Sequence, residues 1–261
     1  MKKIITLLSV FILLISSCSG DDETQTSSET PATNDGVFLK RKVEKNENDE
    51  ILNTYDYTYN GNKLTKIVQK GGSYIEYIYN NDLISEIKFY YPDNSLFHTE
   101  SFFYNSFNQL TDYIFKSVIS DSGYKRIYTY STNGTVIVHS FHGDLISQTQ
   151  PANEYEKMYV QNSALVKHEF YNVSNNILTR TSTFAYDDKK NPFKNVLGFD
   201  KIHLIGSDPT EWNINNLTHE NNDGEVSTFQ YIYNGFNYPI TGTQTNNDSA
   251  SISRKYEYTY Y

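Results

Sequence analysis

Six histidines, one cysteine and 31 acidic side chains are the raw material for chemistry in this 261-residue sequence. Only His139 and His142 lie close together, with Asp144 two residues further on. In a strand those two rings point to opposite faces, so a shared metal ion would need a bulge or a turn between them. Neutral strand histidines are the simpler reading, and no metal site is expected. No zincin pair, phosphate-binding loop, nucleophile elbow or EF-hand loop occurs, so no cofactor is implied and no catalytic residue is assigned. Glycoside hydrolysis needs two carboxylates facing each other across a sugar. Asp187, Asp188, Asp200, Glu211 and Glu225 could supply them, but a pool of acids this large makes some pairing inevitable. Asp187-Asp188 before Lys189-Lys190 reads as a solvated turn. Trp212 stands between Glu211 and Asn213, and an indole flanked by hydrogen-bonding side chains can grip the apolar face of a sugar ring. Its simpler role is a loop tryptophan pinned into the core. The recurring tyrosines, Tyr57, Tyr79 and Tyr233 among them, pose the same choice: a groove for a ring-bearing ligand, or core, which is favoured.

Cys18 is the remaining reactive side chain, and its surroundings give it a role. Lys2 and Lys3 precede an apolar run from Ile4 to Ile15 broken only by Thr6 and Ser9, which is the layout of a secretory signal. The run is shorter than the roughly 20 apolar residues a transmembrane helix needs. Leu14-Ile15-Ser16-Ser17-Cys18 resembles the lipobox of bacterial lipoproteins, which implies cleavage before Cys18 and its acylation. A lone thiol in an exported chain is otherwise an oddity. Residues 1–17 are thus expected to be a signal peptide, and 18–36, with Asp21-Asp22-Glu23 and a Ser/Thr-rich run, a flexible tether. The acidic cluster resembles the surface-export signal of Bacteroidota lipoproteins. The expected location is therefore the outer membrane, at the cell surface or otherwise facing the periplasm, with the lipid as the only membrane contact.

Composition narrows the partners. The formal net charge is −9, and losing Lys2 and Lys3 makes the chain more acidic still. That excludes nucleic acid, whose phosphates need a basic surface. With Cys18 on lipid, no disulfide, thiolate nucleophile or cysteine–zinc site remains. The 24 Tyr and 15 Phe against one Trp and two Met fit a pleated, half-buried surface.

These residues fall into a ragged repeat, an aromatic-x-Tyr-polar phrase followed by a turn and a second alternating stretch. It recurs at Tyr57-Thr58-Tyr59-Asn60, Tyr77-Ile78-Tyr79-Asn80, Phe102-Phe103-Tyr104-Asn105, Tyr128-Thr129-Tyr130-Ser131, Phe184-Ala185-Tyr186-Asp187 and Tyr231-Ile232-Tyr233-Asn234. A half-copy at Tyr256-Glu257-Tyr258-Thr259-Tyr260 ends the sequence, and a degenerate copy is expected near Tyr159. Tyr55, Tyr57 and Tyr59 alternate, so they share one face of a strand. Asn60-Gly61 supplies positive φ angles for a hairpin turn, and Asn133-Gly134 and Asn234-Gly235 repeat that chemistry. Short loops between successive strands make an up-and-down meander. Between about Asp188 and Asn222 the rhythm lapses into an irregular insertion, with one strand expected near Ile202 to Ile205.

The phrase Tyr57 to Leu64 resembles the tyrosine–aspartate repeats of large RHS/YD shell proteins, although this chain is far too short to enclose cargo. Residues 37–261 as a whole look more like uncharacterised Bacteroidota lipoproteins whose domain of unknown function has a porin-like, many-stranded β fold. Tyr233-Asn234-Gly235-Phe236-Asn237-Tyr238-Pro239 and Lys255-Tyr256-Glu257-Tyr258 carry that resemblance, which implies a fold and no activity. The expectation is an all-β antiparallel meander of β-hairpin repeats curled into a barrel-like single sheet. Lipid demands a continuous apolar outer band. Leu64 to Gln69 and Phe38 to Val43 lack one and the mean hydropathy is −0.61, so a soluble barrel is expected. The expected role is non-enzymatic binding or structural, with a glycan or an envelope protein as ligand. The alternatives are a carbohydrate-active hydrolase using paired carboxylates and a purely architectural spacer or adhesin module.

Overall fold

The computed structural model describes residues 36–205, 215–246 and 252–261. The signal, Cys18, most of the tether and Trp212 with its neighbour Glu211 lie outside the described residues. Sixteen strands are described. They are β1 (Leu39–Lys45), β2 (Ile51–Asn60), β3 (Lys63–Gln69), β4 (Tyr74–Asn80), β5 (Leu83–Tyr90), β6 (Leu96–Tyr104), β7 (Leu110–Ser117) and β8 (Ser122–Tyr130). Then come β9 (Thr135–Gly143), β10 (Gln148–Gln161), β11 (Ala164–Asn172), β12 (Leu178–Tyr186), β13 (Leu217–Asn222), β14 (Glu225–Tyr233), β15 (Pro239–Asn246) and β16 (Ile252–Tyr260). Each pairs antiparallel with its sequence neighbours, and β1 pairs with β16, so the meander closes into a barrel.

The repeat phrase is the end of each even-numbered strand. Tyr55, Tyr57 and Tyr59 turn inward, and Tyr57 is buried. Tyr77, Phe102, Tyr128, Met158 and Phe184 occupy the same depth on the following even strands and are buried as well, while their counterpart on β14, Tyr231, is half-buried. The outward positions carry many polar and charged side chains, with Ile78, Phe103 and Ile232 exposed among them. Arg41 clasps Asp56 through two hydrogen bonds of 2.6 and 2.8 Å, Lys125 meets Asp112 at 2.7 Å and Lys88 meets Glu86 at 3.1 Å.

The second tyrosine of each phrase builds a girdle at one end of the barrel. The hydroxyl of Tyr59 donates to the Leu39 carbonyl (2.9 Å), Tyr104 to Ile84 (2.7 Å) and Tyr130 to Leu110 (3.0 Å). Tyr186 and Tyr260 do the same with Leu165 and Pro239, both at 2.8 Å. Tyr79 stands over the Leu64 backbone in the same way, but its buried hydroxyl falls short of hydrogen-bond geometry. The degenerate copy puts Val160 at this position, and the Tyr159 hydroxyl instead donates to Glu169 on the outer face.

Beside the girdle the ladder slips by one residue. Thr58 pairs with Lys66 but Tyr59 with Leu64, so Thr65 is an extra residue bulged out of β3. The same shift occurs at Tyr79, Tyr104, Val160, Tyr186 and Tyr233, and where β16 meets β1; the β8–β9 pair lacks it. Bulges bend strands and sharpen twist, which a closed sheet requires. The extra residue often carries a hydroxyl: Thr65 donates to the Thr58 carbonyl, Ser85 to Ile78, Thr111 to Phe103 and Thr218 to Ala185. The turns differ from the expected pairs of positive φ angles. Gly61 alone is left-handed at the β2–β3 turn, Asn81 takes that part at β4–β5, and at β14–β15 it is Asn237, not Gly235.

The irregular segment differs most. No strand forms at Ile202 to Ile205; the chain there turns through bonds such as Ile202 N–H to Phe199 O and Ile205 N–H to Ile202 O, after a 3₁₀ turn at Phe199–Lys201. Ile202, Leu204 and Ile205 face into the barrel, and their backbone has no sheet edge beside it. The segment also ends earlier than expected, since β13 begins at Leu217. Residues 188–205 form a plug. A sheet of sixteen strands closes around a lumen too wide for wall side chains alone to fill, and Phe193, Val196, Phe199, Ile202, Leu204 and Ile205 fill one end of it. Each contributes roughly 1.5–3 kcal/mol by leaving water. Phe193 meets the edge of Tyr57 and stacks on Phe199, which stacks in turn on Tyr77. Gly198, at φ 79°, lets the plug approach β5: a Cβ there would stand 3.1 Å from the Asp82 carbonyl oxygen and 3.2 Å from the Ile84 nitrogen.

Candidate functional site

The plug closes the girdle end, and the inward faces become more exposed toward the other. On β10 Met158 and Glu156 are buried while Glu154 and Ala152 are half-buried; on β12 Phe184 and Ser182 are buried and Arg180 is exposed. Among the described residues the lumen is therefore a vessel, floored by the plug and open at the end opposite Leu39. Two cavities are described within it.

The first measures about 360 Å³ and is walled by β1–β6, β14 and β16. Its lining is aromatic: Tyr55, Tyr57, Tyr77, Phe89, Phe229, Tyr231, Tyr256 and Tyr258, with Phe193 of the plug below. Lys42, Glu44, Gln69 and Glu100 add hydrogen-bonding groups. Glu44 takes a hydrogen bond from Arg254 (2.6 Å) and lies 3.4 Å from the Tyr55 hydroxyl; Lys42 rests over the Tyr55 ring at 4.9 Å. Apolar ring faces with a few fixed polar groups form the usual composition of a small-molecule site, and the volume lies in the usual range of roughly 300–1,000 Å³. Burial pushes the Tyr231 phenol well above its ordinary pKa, so it stays a neutral donor.

The second cavity, about 450 Å³, lies among β8–β12 above Ile205 of the plug and is charged. Arg126 donates to the Glu156 carboxylate through Nη2 and to the Ile205 carbonyl through Nη1 (2.5 Å). His168 Nε2 lies 2.6 Å from the same Glu156 oxygen, and Ser140 Oγ lies 3.5 Å from the other. Burial alone would raise the Glu156 pKa; the hydrogen bond from His168 and the Arg126 charge outweigh it and hold the carboxyl below its ordinary value. Glu156 is thus an ionised structural acceptor, poorly suited to act as a general acid. Through Arg126 it also fastens the plug to the wall, helped by Tyr128, whose hydroxyl lies 3.3 Å from the Leu204 carbonyl oxygen.

Solved structures similar to this chain include two porin-like proteins. One is a porin-like protein from Bacteroides vulgatus ATCC 8482, at 10% identity and a TM-score of 0.40, the match covering 86% of this chain and 99% of that one. The other is a porin-like protein from Bacteroides uniformis ATCC 8492, at 13% identity and a TM-score of 0.35, covering 82% and 80%. No protein-family model matches the sequence, and no curated protein matches it.

The residues singled out in the sequence are dispersed. Tyr57 lines the aromatic cavity with its ring against the plug. Tyr79 belongs to the girdle, beneath Lys63 at 5.4 Å, and does not line the cavity. Tyr233 donates to Asp187, and burial with that hydrogen bond raises its phenol pKa. Asp187 also accepts from the backbone of Lys189 and the side chain of Asn216, so it ties the start of the plug to the residue that leads into β13. Asp188 and Asp200 pair with their lysine neighbours, and Glu225 is exposed at the start of β14. His139 stacks outside on Tyr155 while His142 lines the charged cavity, on opposite faces of β9. Among the described residues no group of three or more His, Cys, Asp or Glu could hold a metal ion. The Arg126–Glu156–His168 cluster was missed from the sequence. Its one signal was charge at the inward phase of strands that otherwise alternate cleanly.

Proposed function

We propose that this is a lipid-anchored envelope protein of the outer membrane whose lumen binds a ring-bearing ligand, a glycan, without transforming it. The observation that carries the reading is the aromatic cavity held open above the plug, since stacked phenyl and phenol faces suit the apolar faces of sugar rings. The plug argues for a vessel rather than a channel. Ion pairs such as Arg41–Asp56 and Lys125–Asp112 stand on the outer face, where an embedded barrel would need an apolar band. The barrel therefore stands in water, held through acylated Cys18, and the mouth of the lumen lies opposite the chain's entrance at Leu39. A hydrolase reading loses ground because Glu156 is locked by Arg126 and His168. A spacer reading loses ground because a spacer needs no lumen. Titration calorimetry of the purified full chain against a panel of soluble oligosaccharides tests the proposal. Saturable heats abolished by Tyr57→Ala and Tyr258→Ala support it, and no heat with any member of the panel refutes it.

A further inference from the structure

The chain has four arginines. Three of them hold carboxylates: Arg41 with Asp56, Arg126 with Glu156, and Arg254 with Glu44. Arg180 makes no ion pair among the described residues, although acids outnumber bases 31 to 22 in the sequence. Its strand phase puts it inside, two positions before Ser182 and four before Phe184, on the wall of the charged cavity. There its guanidinium lies 3.8 Å from the centre of the Phe170 ring, which positions the flat fork without using its N–H groups. The cavity's own acids are already engaged: Glu156 by Arg126 and His168, and Glu154 by the Thr179 hydroxyl at 2.6 Å. His142 lines the same wall and adds a further ring nitrogen. What the wall leaves unmatched among the described residues is thus a planar donor fork held over a ring, with no carboxylate paired to it.

Resting on the glycan reading above, we propose that the charged cavity is a subsite for an acidic sugar unit, with Arg180 as the residue that pairs with its carboxylate. A carboxylate matches the guanidinium fork through two parallel N–H···O bonds, which a hydroxyl cannot do. Ser140, His142 and the free oxygen of Glu154 are placed to meet the ring hydroxyls, with Phe170 and Tyr124 as apolar walls. The ligand is then an oligosaccharide with at least one uronic-acid unit.

The test is calorimetric titration of the purified full chain with trigalacturonate, with its methyl ester and with inorganic phosphate as competitor. The acid is expected to bind at least about tenfold tighter than the ester, and Arg180→Gln to weaken the acid by about tenfold to a hundredfold, from charged hydrogen bonds lost. The ester's affinity should be unchanged in that variant, and Arg180→Lys should restore part of the loss. Arg180 is exposed, so both variants should keep the wild-type melting temperature. Equal binding of acid and ester overturns the subsite while leaving the aromatic vessel intact. No binding of either overturns the acidic subsite, and whether the vessel falls with it is decided by the oligosaccharide panel. Phosphate competing as well as the trisaccharide overturns the subsite by reducing it to an unselective anion site.

Discussion

Replacing Phe199 by alanine tests whether the plug is part of the barrel's core or a removable stopper. Phe199 is 4% exposed, stacked on Tyr77 at 5.8 Å and on Phe193 at 5.1 Å. Its neighbours are held on both sides, with Tyr77 on the wall and Phe193 fixed by the Asn191 side chain accepting from its backbone N–H at 2.9 Å. The space left by the ring therefore cannot collapse easily, which places the cost at the usual value for a buried phenylalanine, ~3–5 kcal/mol. In a domain of this size one kcal/mol lowers Tm by roughly 2–4 °C, so the expected fall is about 6–20 °C. Circular dichroism melts of the full chain read it directly. Phe107→Ala is the control, because that side chain is 82% exposed in the β6–β7 turn; it should cost no more than about 0.5 kcal/mol. A Phe199→Ala melt within about 3 °C of wild type, together with new protease cleavage between Asp188 and Asn216, would refute the reasoning. It would mean that the barrel stands without its plug.

Three further outcomes follow from other contacts. Glu156→Gln leaves the buried Arg126 guanidinium without its counter-charge and should cost about 3–5 kcal/mol in urea unfolding, whereas pairing it with Arg126→Met should recover much of that loss; a double variant no better than the single refutes the pairing. Burial opposes ionisation of Glu169, but hydrogen bonds from Lys167, Tyr159 and Tyr171 outweigh it and hold its carboxyl at about 2. Because that folded-state value lies below the unfolded one of 4.5, this stabilisation is complete above pH 4.5 and drains away as pH falls toward 2. Glu169→Gln should flatten that limb of a urea-stability profile against pH, and an unaltered slope counts against the assignment. Cys18→Ser should yield a folded protein absent from the membrane fraction; retention after a salt wash would sink the tether and revive an embedded barrel.

The meander was legible because its signal is local: Tyr55, Tyr57 and Tyr59 alternate, and alternation on a pleated strand fixes a face. The return strands were less legible because the bulge breaks their period. Leu64 and Ile67, like Ile84 and Ile87, are three apart yet both buried inside, whereas Val136 and Val138 keep a spacing of two on β9, where no bulge occurs. A Ser or Thr directly after the first apolar residue, as at Thr65, Ser85 and Thr111, was the available mark, since its hydroxyl caps the carbonyl that faces the bulge. The plug had no periodic signal at all, because its backbone satisfies itself by turns and by side chains from the wall.

The charged cavity was hidden for a different reason. Arg126, Glu156 and His168 lie on three strands, and only closure of the register brings them together. Strand phase still held a usable clue. Arg126 precedes inward Tyr128 by two residues, and Glu156 precedes inward Met158 by two, so both charges had to point into a closed lumen. An unpaired charge inside costs too much to keep, so each such residue implies a partner elsewhere on the wall. Applied to all inward positions, the rule pairs Arg126 with Glu156, while Arg180, at the same phase in β12, finds no acid among the described residues. Placed nearer the mouth, where water moderates the cost, Arg180 can stand unpaired until a ligand brings the missing carboxylate.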